Sequence, residues 1–520
     1  MSSNLTAMCS AQAIPYPSIT GVKFLTMSAN VVSNYTKFVP DYYNFNHPNI
    51  TVENANFCNI TVSYTHPGEN DQIYAESWLP LDGWNGRLQA TGGGGWVAGR
   101  FKLSYYNMAG AIAEGYATIT TDAGLGSATD ASPWALTSTG NVNLYKLQNL
   151  GSVSLYEQSV IGKALINSFY GKLPNYSYFS GCSQGGRQGM MVAQRYPDAY
   201  DGIAASAPAI NWDELIMNLF YPTLIMNMAG KYPAGCEFDA IVAAATAYCD
   251  AADGVADGVV STLYDCDFDP YSVVGQTINC STTGTTRVVS ETAALIANVT
   301  WEGSRSANGG FLWYGLNYDA NLSGDGSISA GAMDTTSCTS NGTCTSNSWV
   351  LPTQWIQYFI EKNPDYPLGN MTHETFDALF HAGKQQFDDI ISANDPDLTA
   401  FKAAGGKLIS YHGKADSIIP TGGSIHWHNA VNATVPGIDD FYRLFLIPGL
   451  SHCSGGAGGQ PTTTFNSLVA WVENGTVPEY LPVSWNSSGT TFTRNICKFP
   501  EETVYDGVGD PSLASSFNCV

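Results

Sequence analysis

A serine within a glycine-rich pentad is the residue of this chain best suited to do chemistry. Ser183 stands third in Gly-Cys-Ser-Gln-Gly, residues 181–185. The G-x-S-x-G pattern is typical of a nucleophile elbow, a sharp strand-to-helix turn that exposes a serine hydroxyl. Gly181 and Gly185 leave room for a turn that would crowd any side chain. Because glycine-rich turns also contain serine by chance, the pentad becomes informative only if the chain supplies a base and an acid.

Candidates for the acid and the base follow in the order that an α/β-hydrolase sheet requires. A serine hydroxyl needs a histidine to take its proton and a carboxylate to orient that histidine. In this fold the acid comes next in the chain and the histidine last, each after a strand. Asp416 follows a predicted strand at residues 407–411, and His452 follows one at residues 441–447. A post-strand aspartate is also a common turn former, so each candidate is weak evidence alone.

Rival residues have less suitable positions. Asp439 and Asp440 precede their strand and would lie at the opposite edge of the sheet. His412 is too close in sequence to the predicted acid, and His426 and His428 fall on a predicted helix. We therefore assign these three histidines structural or surface roles.

A cysteine stands beside two of the candidates. Cys182 directly precedes Ser183, and Cys453 directly follows His452. A disulfide holds two Cα atoms about 4.4–6.8 Å apart, so a bond between these cysteines would fix nucleophile and base together. It would close a loop of about 270 residues and stabilise the fold by on the order of 5 kcal/mol in the chain-entropy model. We predict this bond; the alternative is that it serves stability alone.

The elements around these residues alternate between strand and helix. Such alternation favours a largely parallel sheet with helices on both faces, which is an α/β fold. Residues 1–65 are predicted to be irregular or β-rich. The predicted strands are residues 72–78, 87–91, 117–121, 176–180, 407–411 and 441–447, and the predicted helices are residues 153–169, 187–196, 422–431 and 462–473.

The alternation stops after Pro208 and returns near Lys402. The stretch between them is richer in Gly, Ser, Asn, aromatic residues and cysteine. We predict an inserted lid domain over residues 212–395 and an α/β-hydrolase catalytic domain formed by residues 1–211 and 396–520. Lid aromatics could stack on an aromatic acid, although most will be ordinary core. They include Phe220, Tyr221, Phe311, Trp313, Tyr314, Trp349 and Trp355.

The composition limits the partners of the protein. The 520 residues carry a net charge of −23, and 44% of them are hydrophobic, enough for a substantial core. An acidic surface poor in Lys and Arg repels phosphate backbones and anionic lipid, which argues against nucleic acid and membranes as partners. No apolar run reaches the length of a transmembrane helix.

Cysteines and glycosylation motifs together indicate a secreted glycoprotein. The 12 cysteines are an even number without a CxxC pair. Residues 1–20 lack the basic start and apolar core of a signal peptide, as expected of a mature chain with an added Met1. Further predicted pairs are Cys9–Cys58, Cys249–Cys266, Cys338–Cys344, Cys497–Cys519 and, by elimination, Cys236–Cys280. Among the N-x-S/T motifs for N-glycans are Asn4, Asn34, Asn49, Asn59, Asn175, Asn298, Asn321, Asn341, Asn432, Asn474 and Asn486.

Three motifs carry a resemblance to a known family. The matching motifs are Gly-Cys-Ser-Gln-Gly-Gly at residues 181–186, Gly-Lys-Ala-Asp-Ser-Ile-Ile-Pro at 413–420 and Gly-Leu-Ser-His-Cys at 449–453. In these motifs the chain resembles the tannase and feruloyl esterase family of fungi and bacteria. The resemblance extends over most of the chain. It implies an α/β-hydrolase core with a lid and the hydrolysis of aromatic-acid esters.

The resemblance leaves the substrate open. Fungal feruloyl esterases look closest, which implies release of ferulic or related hydroxycinnamic acids from plant cell-wall polysaccharide. Tannases share the motifs, so galloyl esters are the alternative. A third reading, from another class, is a noncatalytic protein of the same fold that binds phenolics or polysaccharide.

An acyl-transfer site also needs N–H donors for the developing oxyanion. One is usually the backbone N–H after the nucleophile, here Gln184, and the other lies in an early glycine-rich loop. Residues 92–95 are four glycines that follow the predicted strand at 87–91. We predict a donor in this loop, Gly94 or Gly95, against the alternative of a merely flexible loop.

An aspartate-rich run at residues 250–259 suggests a cation site within the lid. Closely spaced carboxylates and backbone carbonyls suit Ca²⁺, which takes six to eight hard oxygen ligands. The run lacks the glutamate of an EF-hand, and the alternative is an acidic solvated turn. The resemblance implies a structural calcium ion held by the side chains of Asp250, Asp253 and Asp257 and the carbonyls of Val255 and Val259.

Overall fold

The strands predicted on both sides of Ser183 meet in one mixed sheet. In the computed structural model, which describes residues 2–263, 266–281, 284–324, 336–340, 342–347 and 349–520, nine strands form this sheet and five pairs of short strands lie outside it. The strands are β1 (Lys23–Val39), β2 (Ile50–Thr65), β3 (Ile73–Pro80), β4 (Arg87–Thr91), β5 (Ala117–Thr121), β6 (Leu136–Ser138), β7 (Asn141–Val142), β8 (Tyr176–Cys182), β9 (Gly202–Ser206), β10 (Thr277–Cys280), β11 (Thr285–Val288), β12 (Thr336–Cys338), β13 (Cys344–Ser346), β14 (Lys407–Gly413), β15 (Tyr442–Ile447), β16 (Tyr480–Ser487), β17 (Thr490–Cys497), β18 (Thr503–Tyr505) and β19 (Phe517–Cys519).

Helices cover the sheet and build most of the segment between β9 and β14. None of the helices in the described ranges is long and apolar enough to span a lipid bilayer. The α-helices are α1 (Ser2–Met8), α2 (Lys102–Ala113), α3 (Leu144–Gln148), α4 (Ser154–Tyr170), α5 (Gln184–Arg195), α6 (Trp212–Asn218), α7 (Tyr221–Ala229), α8 (Gly235–Cys249), α9 (Glu291–Glu302), α10 (Val350–Gln354), α11 (His373–Ile391), α12 (Thr399–Ala403), α13 (Thr421–Thr434) and α14 (Thr464–Asn474). Short π-helical turns follow α3 and α10, at Asn149–Val153 and Trp355–Ile360.

The order of strands in the main sheet is β1-β2-β3-β5-β4-β8-β9-β14-β15. The first three pairs are antiparallel, and the remaining five pairs are parallel. All five residues of β5 and of β9 are buried, as expected of central strands covered on both faces. The α/β prediction is confirmed. Because the carboxyl ends of β8, β14 and β15 meet at one edge, the loops that carry the three motifs converge there.

The N-terminal segment forms the antiparallel side of the sheet. Residues 1–65, predicted to be irregular or β-rich, contain the two longest strands, β1 and β2. In β1 at the sheet edge, half-buried and exposed residues largely alternate, which is the pattern of a strand with one face towards water. The disulfide Cys9–Cys58 joins the segment before β1 to the centre of β2.

Residues 207–406 add no strand to the nine-stranded sheet within the described ranges. They form helices α6 to α12 and two small hairpins, and their apolar interior is continuous with the loop after β4. Trp96 in that loop contacts Trp212 and Phe359 of this segment, with ring centroids 5.1 and 5.0 Å apart. The insertion thus packs against the glycine-rich loop, and its role as a lid stays a prediction. Its boundaries at residues 212 and 395 remain a prediction.

All six predicted disulfides are present, and they use all 12 cysteines. The Cys182–Cys453 bond has a Cα–Cα distance of 5.9 Å. The others join Cys9–Cys58, Cys236–Cys280, Cys249–Cys266, Cys338–Cys344 and Cys497–Cys519.

Candidate active site

Ser183 occupies a sharp turn between β8 and α5. Its backbone angles are φ 64° and ψ −123°, a conformation that residues with a side chain rarely adopt. The turn is held by the neighbouring strand, because the Ser183 N–H donates to the Ser206 carbonyl at 3.0 Å. The Ser183 carbonyl also accepts from the Ala209 N–H at 3.1 Å. This is the geometry predicted for an elbow, in which surrounding structure holds a strained residue in place.

Glycines allow the loop after β4 to lie directly against this elbow. A Cβ atom on Gly92 would be 2.7 Å from the Gly185 Cα, and one on Gly181 would be 2.5 Å from the Gly185 carbonyl oxygen. Real side chains do not tolerate such distances, so the approach of the β4 loop to the elbow requires glycine at position 92, and the tight elbow itself requires glycine at position 181.

Asp416 and His452 form a buried hydrogen-bonded pair. The His452 Nδ1 lies 2.9 Å from one carboxylate oxygen of Asp416 and 3.1 Å from the other. The same carboxylate accepts the backbone N–H groups of Ile418 and Ile419 at 2.9 Å. Burial alone would raise the pKa of Asp416, but the charge and hydrogen bonds of the neighbouring histidines outweigh it and hold the pKa below its usual range. Asp416 is therefore an ionised carboxylate that orients the imidazole.

His412 is the second histidine beside this carboxylate. Its Nε2 lies 3.2 Å from the Asp416 carboxylate and 3.0 Å from the Ile419 carbonyl, while its Nδ1 lies 2.8 Å from the Ser424 hydroxyl. Both neighbours of Nε2 are acceptors, so Nε2 carries a proton and donates. A structural role was predicted for His412, but its contact with the acid was not. The sequence feature that could have indicated this contact is the position of His412 near the end of β14, four residues before Asp416.

The other rivals lie away from this pair. Asp439 contacts Lys498 at 3.1 Å and Asp440 contacts Lys402 at 3.0 Å, both on the surface. His426 contacts the Tyr314 hydroxyl at 3.1 Å. His428 is buried, and burial lowers its pKa to about 4. Both histidines lie on α13, as predicted.

The disulfide joins the two motifs covalently. Cys182 ends β8, and Cys453 lies in the loop after β15 with a φ of 63°. Both cysteines are buried, and Phe45 packs against them. The Tyr411 hydroxyl donates to the Cys453 carbonyl at 2.8 Å. The bond thus fixes the loop that carries His452 to the elbow that carries Ser183.

Ser183 and His452 both line two cavities. The smaller, which we call the lid cavity, has a volume of about 30 Å³ and lies between the elbow and the insertion. Its lining is almost wholly apolar. It consists of Gly95, Ser183, Gln184, Ala209, Trp212, Leu215, Ile216, Leu219, Trp349, Leu351, Ile418, Ile419 and His452.

The larger, which we call the tyrosine cavity, has a volume of about 420 Å³ and lies on the side of the disulfide. It combines aromatic rings, hydroxyl groups and glycine backbone. Its lining residues are Tyr42, Tyr43, Phe45, Gly93, Gly94, Leu103, Cys182, Ser183, Ser451, His452, Cys453, Ser454, Gly455 and Gly456. The segment that supplies the tyrosines was not predicted to belong to the site, because nothing in the sequence links residues 42–45 to the elbow.

The predicted oxyanion donors divide between these cavities. Gln184 and Gly95 line the lid cavity beside Ser183, whereas Gly94 lines the tyrosine cavity. The Gly94 N–H already donates to the Val97 carbonyl at 3.0 Å. The backbone N–H of Gln184 stands at the first position of α5, where a helix leaves N–H groups without an intrahelical acceptor.

Arg187 is a buried residue of the site region that the sequence did not reveal. Its Nε donates to the Gln184 side-chain oxygen at 2.6 Å. Its remaining N–H groups reach backbone carbonyls of the π-helical turn and of the insertion, those of Leu150 at 2.8 Å, Gly151 at 3.0 Å and Ile391 at 3.2 Å. Burial lowers the pKa of Arg187 to about 9. The side chain ties the helix behind the elbow to the π-helical turn that precedes α4 and to the end of α11.

The aspartate run is folded into a tight loop. Asp250 accepts the N–H groups of Asp257 and Gly258 at 3.1 and 3.0 Å, and Asp253 accepts that of Val255 at 3.0 Å. Burial raises the pKa of Asp257 to about 6, and the nearby Asp250 and Asp253 add to this although a buried arginine opposes it. The loop therefore concentrates carboxylates whose mutual repulsion a cation would relieve, and oxygen donors of this kind fit Ca²⁺.

Among the described residues, only His66, Glu69 and Asp71 bring three possible metal ligands within 4.8 Å of one another. The three aspartates of the loop are more widely spaced. Their chemistry fits a calcium ion, and the ligand set implied by the sequence stays a prediction.

Comparison with known proteins settles the family. Residues 58–520 match the family described as tannase and feruloyl esterase. The chain belongs to this tannase and feruloyl esterase family. A probable feruloyl esterase from Arthroderma benhamiae is 39% identical over 91% of this chain and 86% of its own length. A tannase from Aspergillus oryzae is 29% identical over 89% of this chain and 85% of its own.

Solved structures agree with this assignment. Tannin acyl hydrolase from Aspergillus niger superposes with a TM-score of 0.86 at 28% identity, covering 100% of this chain and 94% of that one. Feruloyl esterase B from Aspergillus oryzae shares the fold. It superposes with a TM-score of 0.79 at 24% identity, covering 99% of this chain and 100% of that one. As a member of the family, the protein is a carboxylic ester hydrolase of the serine esterase class.

Proposed function

We propose that this family member is a feruloyl esterase that releases ferulic or related hydroxycinnamic acids from esters of plant cell-wall polysaccharide such as xylan. The relative with 39% identity is named a probable feruloyl esterase. The lid cavity adds a physical reason, because apart from Ser183, Gln184 and His452 its lining is apolar. A galloyl ring would bring three hydroxyls into this lining and leave them without partners, which costs free energy. A feruloyl ring brings one hydroxyl and one methoxyl.

The chemistry assigns one role to each member of the triad. The Ser183 hydroxyl attacks the ester carbonyl while His452 takes its proton and later gives it to the leaving alcohol. Asp416 holds the imidazole with Nδ1–H towards the carboxylate, so that Nε2 is the basic atom. Water then attacks the acyl-enzyme with the same histidine as base, and the free acid leaves.

The oxyanion would be held by backbone N–H groups. Gln184 is the residue after the nucleophile and supplies one donor, as the elbow geometry requires. The second would come from Gly95, which lines the lid cavity, since the Gly94 N–H is already bonded to Val97.

One observation carries the proposal: Ser183 on its strained turn and His452, which pairs with the buried Asp416, line both cavities and are tied together by the Cys182–Cys453 bond. At about 30 Å³ the lid cavity holds little more than a water molecule. Entry of an aromatic acyl group therefore requires lid side chains such as Trp349 to move.

The test is a comparison of initial rates on methyl ferulate and methyl gallate. We expect kcat/KM to be at least tenfold higher for methyl ferulate, and an organophosphonate to label Ser183 and abolish both activities. A preference for methyl gallate would identify a tannase. Binding of a phenolic ester without turnover of either substrate or of nitrophenyl acetate would identify a noncatalytic protein.

The calcium ion and the extracellular setting belong to the same proposal. Asp250, Asp253 and Asp257 with the carbonyls of Val255 and Val259 would hold Ca²⁺, whose contribution is to neutralise the loop and stabilise the insertion. Six disulfides favour secretion, because such bonds persist in oxidising environments.

N-glycans are part of the proposed extracellular setting. Most of the predicted glycosylation sites are exposed, and Asn59 and Asn298 are half-buried. Asn341 lies outside the described residues.

A further inference from the structure

We propose that the tyrosine cavity binds the alcohol part of the substrate as a neutral sugar, with Tyr42 as its stacking surface. This inference rests on the proposed function, and it assigns the half of the ester that the lid cavity does not take. An ester bond under attack by Ser183 has an acyl group on one side and an alcohol on the other. Because Ser183 and His452 line both cavities, the two halves can lie in different cavities across the same reactive atoms.

The sizes and linings of the two cavities indicate which half of the ester each cavity would bind. The lid cavity is narrow and apolar, which suits a flat aromatic acid once lid side chains move aside. The tyrosine cavity is about 420 Å³, large enough for one or two sugar rings. His452 faces it, so the proton that the leaving alcohol needs is available on that side.

The lining of the tyrosine cavity fits a polyhydroxylated and uncharged ligand. Among the described residues that line it there is no Asp, Glu, Lys or Arg. The hydroxyls of Ser451 and Ser454 and the backbone of Gly455 and Gly456 offer hydrogen-bond donors and acceptors. Tyrosine rings provide an apolar face for the C–H groups of a sugar and a polar tip at the rim. Such a mixture of aromatic surface with a few polar groups is typical of a small-molecule site.

Tyr42 and Tyr43 are held rather than loose at this rim. Their ring centroids lie 4.5 Å apart at 63°. The Lys102 ammonium lies 4.7 Å from the centre of the Tyr43 ring and 3.2 Å from its hydroxyl. The Tyr42 residue remains 51% exposed. Tyr43 thus supports Tyr42, and the exposed part of the Tyr42 ring is available to a ligand.

The loop that carries these tyrosines is tied to the catalytic loops. The Gln460 amide donates to the Asp41 carbonyl at 3.0 Å, and the Ser454 hydroxyl donates to the Tyr42 carbonyl at 3.3 Å. Asn46 is buried and donates to the Ser180 hydroxyl at 3.0 Å, directly below the elbow. These contacts give Tyr42 a fixed position relative to Ser183, as a binding subsite needs.

The test keeps the acyl group constant and changes the alcohol. We would measure kcat/KM for methyl ferulate and for a feruloyl ester of arabinose, on the wild type and on Tyr42→Ala, Tyr42→Phe and Tyr16→Ala. Tyr16 is the matched control, because it is also 51% exposed and also has a single ring neighbour, Phe24. Thermal unfolding of each variant separates a folding defect from a binding defect.

We expect the ratio of kcat/KM for the sugar ester to that for the methyl ester to fall at least fivefold in Tyr42→Ala. The ratio should be retained in Tyr42→Phe, which keeps the ring, and should stay within twofold in Tyr16→Ala. An unchanged ratio in Tyr42→Ala would overturn the assignment of this cavity. Failure of the wild type to hydrolyse methyl ferulate would instead contradict the proposed function, so the two failures are distinguishable.

Discussion

The Arg494 guanidinium lies 2.6 Å from the Asp257 carboxylate and thereby joins the C-terminal hairpin β16–β17 to the aspartate loop of the insertion. The neighbouring Trp485 indole N–H also points at Asp257, 3.4 Å from its carbonyl. Both side chains of the pair are almost fully buried. The aspartate loop is therefore joined to the C-terminal hairpin, and we expect its stability to affect both segments.

Removal of calcium is expected to weaken this junction. A ligand present at a hundred times its Kd stabilises the native state by about 2.7 kcal/mol. We expect a chelator to lower the thermal unfolding temperature by about 2–3 °C, and added Ca²⁺ to restore it. Asp253→Asn should abolish this dependence. Asp506→Asn is a matched control, since Asp506 also accepts the N–H two residues ahead, at 2.7 Å. A chelator without effect on the wild type would contradict the calcium proposal.

The strained backbone at Ser183 predicts a stabilising substitution that inactivates the enzyme. A residue with a Cβ in such a conformation costs on the order of 1–3 kcal/mol, which glycine avoids at the expense of a more flexible unfolded chain. We expect Ser183→Gly to raise the free energy of unfolding by about 1 kcal/mol. Ser183→Ala keeps the Cβ and should leave it nearly unchanged. Both should lower kcat by at least 10³-fold. Equal unfolding free energies for the two variants would mean that the turn is not strained.

His412 is expected to act as a positioning residue through Asp416. Its Nε2–H supports the carboxylate that orients His452, and a hydrogen bond to a charged group contributes about 1.5–3 kcal/mol. We expect His412→Leu to lower kcat about tenfold, with a smaller change in KM. His412→Gln, which retains an N–H near the same place, should recover most of the activity. A loss of stability in His412→Leu with an unchanged kcat would show a merely structural role.

The Cys182–Cys453 bond is expected to matter for both stability and rate. In the chain-entropy model, its loop of 271 residues corresponds to about 5 kcal/mol, against about 3 kcal/mol for the 22-residue loop of Cys497–Cys519. We expect Cys182→Ser/Cys453→Ser to lower the unfolding temperature further than Cys497→Ser/Cys519→Ser. Only the first pair should lower kcat of the folded enzyme, by at least tenfold, because it frees the loop of His452. Similar kcat values for both double variants would assign the bridge to stability alone.

A buried histidine outside the triad predicts a loss of stability at alkaline pH. His66 lies 2.6 Å from Glu157 and 2.6 Å from Asp71, and the hydrogen bond to Glu157, with further help from Asp71, raises its pKa to about 9 despite burial. Because the pKa of His66 is higher in the folded state than in the unfolded state, the protonated imidazole stabilises the fold. This contribution is fully present below the unfolded-state pKa of about 6.5 and is lost as the pH rises through about 9.

We therefore expect the free energy of unfolding of the wild type to fall between pH 7 and pH 10 by about 2 kcal/mol more than that of His66→Gln. Chemical denaturation at several pH values measures this difference. Parallel curves for the two proteins would mean that His66 is not charged in the native state.

Local patterns predicted the sheet edge and its three motifs because they are encoded over short stretches. The predicted strand at residues 407–411 and helix at 153–169 match β14 (Lys407–Gly413) and α4 (Ser154–Tyr170) closely. The order of serine, acid and histidine along a parallel sheet then determines which loops meet. The disulfide at the site followed from two cysteines whose neighbours were already candidates.

Contacts between distant segments could not be predicted in this way. Tyr42 reaches the site because the loop before β2 crosses towards the disulfide, and no periodicity or motif encodes that crossing. Arg494 is more than 200 residues from Asp257 in sequence, and its charge alone gives no indication of a buried partner. For the same reason, the side chains that the aromatic residues of the insertion contact could be identified only from the folded chain.

The Cys182–Cys453 bond also determines how the protein responds to proteolysis. The two cysteines are 271 positions apart in the sequence, and the whole insertion lies between them. A single backbone cut anywhere between them leaves both halves in one covalent molecule. Nicked enzyme would therefore migrate as intact protein on a non-reducing gel and separate into fragments only after reduction, so purity judged without a reductant would conceal cleavage within the lid.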